Sequence, residues 1–532
     1  MALNPNWLVA PIVIPMVGAA LGLTARRWGG SRTTRIQRSL TSVAAGLNLL
    51  VAILILVATI SGQRIVAQMG LWPAPFGITL FADGLSAIML TLTAILVAAT
   101  VSFAMGTLDE RERMNFHPLV LFLLMGVNGA FLAGDLFNLY VFFEVLLMAS
   151  FVLLTLGGQP GQINGGIRYV TLNLMASTLF LIAAGVAYGA LGTLNMAHLA
   201  ARMDMAPKSI QLLLAGFFLV VFSSKAALFP LFFWLPSSYH TPHPAVTALF
   251  GGLLTKVGIY ALYRVFPLLF PSFLIAWQPL ILIIAGLTMF IGVLGAMSVG
   301  TVRRVLSFHI ISQVGYMVMG LGLAATGNPV LAAFALSAGI LYLVHHMIVK
   351  TALLMSGGAA ELELGTGSLL PGQLGGLLQR RPVLAAIFFI AAFSLAGVPP
   401  SSGFVSKLGL LQSALDSDHW WIAGVSLLVS LLTLMSMMRL WQKSFAGKAL
   451  HPLSVHAPLS YRGRNWLTLT PIAALMALSL SIGIFVGPVL RVTTIAAQQV
   501  LDREGYIAAV DPIEGIPDLP TSHDQAGGDH QP

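Results

Sequence analysis

Residues 134–154 read GDLFNLYVFFEVLLMASFVLL. Past Asp135 the stretch carries a single carboxylate, Glu144, in an otherwise apolar run. A run of roughly 20 apolar residues is what a helix needs to cross a hydrocarbon core ~30 Å thick. Glu144 lies nine residues beyond Asp135. At about 1.5 Å of rise per residue that is ~13 Å into the membrane, close to its midplane. An ionisable group there costs roughly 2.5–3.5 kcal/mol on insertion scales, so a partner, water or protonation must offset it.

The rest of the chain repeats the theme. Of 532 residues 57% are hydrophobic and only 8% are charged. A soluble domain carries about 25% charged residues, so there is too little polar surface here for a water-soluble globule. The sequence is that of an all-α polytopic membrane protein. No basic segment precedes the first apolar run, so no cleavable signal peptide is expected. The net charge of +9 sits in short loops between apolar runs, which speaks for membrane topology and against nucleic acid. There are no cysteines, which excludes cysteine-ligated iron–sulfur clusters, c-type haem attachment and disulfides. No glycine-rich nucleotide fingerprint stands between a strand and a helix. The expectation is a chain without a cofactor and without a metal.

About fourteen spans are expected, starting near residues 7, 40, 82, 117, 136, 166, 209, 244, 274, 304, 329, 384, 419 and 468. With both termini outside, most of the 27 basic residues fall on the cytoplasmic side, as the positive-inside rule requires. They include Arg26, Arg27, Arg32, Arg35, Arg38, Arg111, Arg113, Arg168, Arg303, Arg304, Arg380, Arg381, Arg439, Lys443, Lys448, Arg462 and Arg464. Arg64, Arg202, Lys208, Arg264, Arg491 and Arg503 then fall outside. Residues 191–208 suggest a short surface helix, and the end of the chain an acidic external tail.

Four lysines fall inside spans: Lys225, Lys256, Lys350 and Lys407. Pro230 follows Lys225 by five residues and would clash with the carbonyl of Ala226, predicting a break beside the lysine. Irregular backbone at that depth is tolerated only where it lines a cavity or is buried in protein. Lys225 is too far from either end of its span to snorkel to water. Gly251, Gly252 and Gly258 around Lys256 allow close helix approach. Gly397, Pro399, Pro400 and Gly403 interrupt the span just before Lys407. Breaks in the seventh and twelfth spans, five apart, point to two inverted five-helix repeats with a site in each. His346 and Lys350 are four apart on one helix face, and His345 points about 100° away. A histidine there can relay protons between lysines. A metal at this pair is disfavoured, because no third ligand is near.

A midplane row therefore emerges: Glu144, Lys225, Lys256, His346, Lys350 and Lys407. Ser224, Ser312, Gln313, Ser406 and His345 are its supporting polar groups. A Glu144–Lys225 pair at ~4 Å in an effective dielectric of about 20 is worth ~4 kcal/mol. Forming and opening such a pair would hold and then release the charge on the lysine.

At these residues the chain resembles a known family. The motifs are DGLSA at 83–87, LYVFFE ending at Glu144, SSKAALFPLFFWLP at 223–236 and LLTKVGIY around Lys256. They continue with RRVLSFHIISQVGY at 303–316, HMIVKTALLMSGG at 346–358 and GVPPSSGFVSK at 397–407. Together they are similar to the antiporter-like proton-translocating subunits of respiratory complex I, membrane-bound hydrogenases and Mrp-type sodium/proton antiporters. Length and the segments DLFNLYVFFE and ALFGGLLTKVGIYALYR most resemble the D-type Mrp subunits. The resemblance implies fourteen helices with inverted repeats. It makes Glu144 and Lys225 the ion pair, Lys256 the central relay, His346 and Lys350 the bridge, and Lys407 the terminal proton site. Gln313 departs from the pattern, standing where some relatives have histidine.

The expected organisation is an N-terminal three-helix segment (1–116), a first repeat (117–267), a second repeat (268–443), a last loop and helix (444–490), and a flexible acidic tail (491–532). The expected function is proton conduction in a multisubunit Mrp-type cation/proton antiporter of a prokaryotic plasma membrane. That makes the chain a secondary transporter subunit and not an enzyme. Its partners would be other membrane subunits, the lipid bilayer, protons and Na+, and no nucleic acid. The alternatives are a pumping subunit of a complex I-like oxidoreductase or hydrogenase, and a non-conducting assembly scaffold.

Overall fold

The computed structural model describes residues 3–72, 74–108, 110–369, 375–446 and 465–510. The basic residues Lys448, Arg462 and Arg464 and the acidic stretch 511–532 lie outside them. The first part of the chain forms α1 (Ala10–Thr24), α2 (Gly30–Ile60), the strands β1 (Ile65–Gln68) and β2 (Thr79–Ala82), α3 (Gly84–Thr107), α4 (Glu110–Leu132), α5 (Leu136–Thr155), α6 (Pro160–Leu191) and α7 (Met196–Met203). The middle holds α8 (Lys208–Ala226), α9 (Trp234–Ser238), α10 (Pro244–Leu269), α11 (Pro271–Ala276), α12 (Gln278–Ser298), α13 (Val302–Leu323) and α14 (Pro329–Leu364). The remainder is α15 (Leu377–Arg380), α16 (Pro382–Ala396), α17 (Ser402–Asp416), α18 (Trp420–Trp441), α19 (Asn465–Ile484), α20 (Val486–Leu501) and α21 (Arg503–Val510).

Thirteen helices among the described residues are long and apolar enough to span a membrane. The chain is thus an all-α polytopic membrane protein with about thirteen candidate spans. The difference from fourteen lies near residue 384. There the chain forms two helices of 15 residues each, α16 and α17, and neither alone reaches the ~20 residues a span requires. Helix α2 starts at Gly30, ten residues before its expected start, and takes Arg32, Arg35 and Arg38 into the helix.

Helix starts follow local chemistry. Asp83 and Asp135 cap α3 and α5, accepting from the backbone N–H of Ser86 and Asn138. Asn328 caps α14 in the same way. Each side-chain oxygen satisfies one of the orphan amides of a first helical turn. Proline occupies the first turn of α6, α10, α14 and α16, where its missing N–H costs nothing.

Helix α10 is the central post, with all 26 of its residues buried. It packs against α3, α8, α13 and α14. Helix α14 runs for 36 residues, about 54 Å at helical rise, and touches α10, α13, α16, α17, α19 and α20. Lipid-facing apolar side chains lie on the outer helices, as at Leu174, Met175 and Leu181 of α6.

Three expectations change at one end of the bundle. Arg264 is not in a loop: it is buried in α10, and both guanidinium Nη atoms donate to Asp83 at 2.7 Å. The segment expected as a surface helix is α7, and it is buried along nearly its whole length. Residues 491–510, expected within a flexible tail, are helical in α20 and α21. Tyr506 of α21 packs on Phe81 and lies near the Arg264 guanidinium. Arg503 pairs with Asp204, and Arg64 with Asp502. The Arg64 hydrogen bond holds the half-exposed Asp502 carboxyl below its ordinary value.

Breaking a buried ion pair from one side leaves an uncompensated charge and costs about 3–5 kcal/mol. Arg264→Leu is expected to destabilise the chain by that order, read as a lower thermal-aggregation midpoint in detergent. Adding Asp83→Asn should restore most of the loss, because asparagine can still cap α3.

Candidate ion pathway

The first lysine sits at the end of α8. Ala227 takes a left-handed conformation, φ 60°, and its N–H returns to the carbonyls of Ser223 and Ser224. That conformation costs an L-residue about 1–2 kcal/mol, so the surrounding packing imposes it. Pro230 then prevents the helix from resuming. Lys225, two residues before the turn, reaches across to α6. Its ammonium donates to the Ser177 hydroxyl at 2.6 Å and to the Asn173 carbonyl at 3.3 Å. The same ammonium lies 5.3 Å from the centre of the Phe143 ring.

Glu144, the next residue after Phe143, is half-buried, and its Oε1 has no hydrogen-bond partner among the described residues. The expected direct pair is therefore not formed here. A hydroxyl, a carbonyl and an aromatic face hold the Lys225 ammonium instead. Ser224 offers its carbonyl to the Trp234 indole N–H at 3.0 Å.

The second lysine is fully buried in α10. Lys256 donates to the Gly251 carbonyl of its own helix. Gly258, half a turn on, lets α10 touch the end of α8. A Cβ at this position would lie 2.6 Å from the Ala226 nitrogen and 2.9 Å from the Lys225 carbonyl carbon. The two lysine-bearing segments therefore meet backbone to backbone.

Helices α13 and α14 carry the middle of the row. Lys350 and His346 are fully buried. The Lys350 ammonium and both His346 ring nitrogens have no hydrogen-bond partner among the described residues. Lys350 lies within Coulombic range of Lys256, and His346 within range of Lys256, Lys350, His345 and His309. His345 points elsewhere, with its Nδ1 2.8 Å from the Ser402 hydroxyl. Gln313 accepts from Tyr342 and donates to Ser312 at 3.3 Å. Ser312 in turn donates to the Met289 carbonyl at 2.9 Å.

Lys407 sits in α17 and caps another helix. Helix α16 ends at Gly397, φ 93°. The Lys407 ammonium donates to the carbonyls of Leu395 and Ala396 at 3.2 and 3.0 Å. Those carbonyls are orphans of the last helical turn, and a cation is favoured there. The ammonium also lies 4.8 Å from the centre of the Tyr316 ring. Ser406 donates back to the Ser402 carbonyl of its own helix.

None of the four lysines is in an ion pair among the described residues. A buried charge without a counter-charge is costly. At Lys225, Lys256 and Lys407 neutral dipoles soften that cost without trapping the charge. The arrangement suits a chain of sites whose protonation changes in turn.

Three residues beyond the expected set stand beside the row. His309 is fully buried, with Nε2 2.9 Å from the Ser436 hydroxyl, and lies within Coulombic range of both Lys350 and Lys407. Its signal was present: His309, Gln313 and Tyr316 share one helix face by their spacing. Asn173 and Ser177, which receive Lys225, are likewise a polar pair four apart in an apolar helix.

A family model described as NADH:quinone oxidoreductase/Mrp antiporter, TM, matches residues 133–433. The chain belongs to this family. The matched segment contains Glu144, Lys225, Lys256, Lys350, Lys407, His345 and His346. Across 511 residues the chain is 44% identical to a protein from Alkalihalophilus pseudofirmus named as the D-type subunit of a Na(+)/H(+) antiporter, covering 95% of this chain and 99% of that one. It is similar in structure to a chain of the Mrp complex from a Dietzia species, with a TM-score of 0.85, 33% identity, and coverage of 95% and 99%. A chain of an archaeal membrane-bound sulfane sulfur reductase gives a TM-score of 0.85 at 25% identity, with coverage of 96% and 100%.

Overpacking a close contact costs typically about 1–3 kcal/mol. Gly258→Ala is expected to lower thermal stability by that order, because it forces apart the two lysine-bearing segments. Gly216→Ala, where an added Cβ meets nothing within 4 Å, should leave stability unchanged or raise it slightly.

Proposed function

We propose that this chain is the proton-conducting D-type component of a multisubunit Mrp-type Na+/H+ antiporter in a bacterial plasma membrane, with both termini outside. The observation that carries the reading is the row of four lysines, three buried and Lys407 part-buried, with no ion-pair partners among the described residues and with buried histidines beside them, in a chain 44% identical to a named D-type antiporter protein. Protons entering from outside load the row at one lysine and move through Lys225, Lys256, the His346–Lys350 pair and Lys407. Sodium leaves elsewhere in the complex.

Glu144 sets the state of Lys225. Closing the carboxylate onto the ammonium is worth ~4 kcal/mol at ~4 Å and an effective dielectric of about 20. Opening it hands the ammonium to Ser177 and Asn173 and lowers the cost of passing its proton on. A membrane potential of 100 mV supplies about 2.3 kcal/mol per charge, which is on the scale of that switch.

The reading includes two inverted repeats, 117–267 and 268–443. It is supported by matching irregular ends: α8 stops at left-handed Ala227 beside Lys225, and α16 stops at left-handed Gly397 beside Lys407. In this reading α16 and α17 together make the fourteenth span, and α8 with the segment after it makes an interrupted seventh.

The test uses inside-out vesicles carrying the complete complex, acidified by respiration and followed with a fluorescent amine. Sodium is expected to alkalinise the interior. Lys225→Ala and Glu144→Gln should each reduce that response more than ten-fold while the complex still assembles. Normal transport by Glu144→Gln would sink the switch. No response to sodium or potassium with the complex present would reassign the chain to a redox-driven pump. Transport that survives loss of every buried lysine would make it a scaffold.

A further inference from the structure

We infer that Ser479, on the last long helix α19, is a proton-relay residue that connects His345 to the Lys407 site. This rests on the proton-conducting reading above. Four side chains from three separate parts of the chain form one buried line. His345 Nδ1 lies 2.8 Å from the Ser402 hydroxyl, Ser402 2.8 Å from the Ser479 hydroxyl, and Ser479 3.2 Å from the Ser394 hydroxyl. All four residues are essentially inaccessible. Each hydroxyl can both accept and donate, which is what a proton line requires.

The line is open at one end, and its other end lies on the helix turn that holds Lys407. His345 Nε2 is buried without a partner among the described residues, and His345 is adjacent to His346 in the row. Ser394 stands one residue before Leu395, whose carbonyl, with that of Ala396, holds the Lys407 ammonium. Helix α19 is shaped to be there. Gly483, one turn after Ser479 on the same face, lets its backbone press against Pro400, Ser401 and Ser402; any side chain at 483 would collide with them. Ser479 lies outside residues 133–433, the segment that the family model matches.

In one passage a proton arrives at His345 Nε2 and the Nδ1 proton leaves to Ser402. Ser402 gives its own hydroxyl proton to Ser479, Ser479 gives its own to Ser394, and that of Ser394 leaves toward the Lys407 amine. One proton enters and one is delivered, with no electron transfer.

The vesicle assay tests this with Ser479→Ala, Ser479→Thr and Ser481→Ala. Ser481 is an exposed hydroxyl on the same helix, bonded back to the Ala477 carbonyl. Ser479→Ala is expected to slow sodium-driven proton movement ten-fold or more in assembled complex and to raise its solvent deuterium isotope effect. Ser479→Thr should recover at least half of the rate, and Ser481→Ala should match wild type. A wild-type rate and isotope effect in Ser479→Ala would overturn the relay. Equal losses in the alanine and threonine variants, with an unchanged isotope effect, would also overturn it and assign Ser479 to packing. A wild-type complex that shows no cation response would fail the antiporter reading; the same variants scored on redox-driven proton uptake would then decide the relay.

Discussion

Three of the four lysines of the row donate to backbone carbonyls: Lys225 to Asn173, Lys256 to Gly251, and the part-buried Lys407 to Leu395 and Ala396. The rest of the molecule is arranged around that choice of partner. A carboxylate would fix each ammonium as a tight pair. A carbonyl dipole lowers the cost of burying the charge but does not neutralise it. At Lys407 the end of α16 supplies such dipoles ready-made, because its last carbonyls have no intrahelical donors, whereas Lys225 and Lys256 use carbonyls from within α6 and α10. Ending α16 at left-handed Gly397 is therefore part of the same device.

The contrast with Asp83 and Arg264 shows that the fold can build a tight buried pair where it needs one. Both guanidinium Nη atoms of Arg264 meet the Asp83 carboxylate, and the aromatic rings of Phe81, Tyr260 and Tyr506 surround it. This pair pins the start of α3 to the central post and anchors the C-terminal helices over that end of the bundle. In the proposed reading, static pairing here and loose solvation along the row divide these charges between holding the fold and moving protons.

Hydroxyl groups supply the remaining continuity. Ser177 receives Lys225, Ser436 meets His309, and Ser402 and Ser479 extend His345. A serine in an apolar helix usually satisfies itself by bonding back to its own backbone, as Ser356 and Ser413 do. Those that bond instead to a titratable side chain on another helix mark where the row runs.

Much of this was legible from residue order. Hydrophobic runs, capping aspartates and asparagines, and ionisable residues in apolar surroundings are local properties, and they located nearly all the spans and the lysines within them. The sequence by itself determined that Lys225, Lys256, His346 and Lys350 would be buried, because each lies inside an apolar run, while Glu144 and Lys407 are only part-buried. It could not determine their partners. The Asp83–Arg264 pair joins residues 181 positions apart, and Ser402 meets Ser479 across 77. Such contacts depend on which helix faces meet and how closely glycines such as Gly258 and Gly483 let them approach. For the same reason Arg264 read as a loop residue and Glu144 as a directly paired one. Periodicity says which side chains share a helix face, and only helix packing decides what stands opposite.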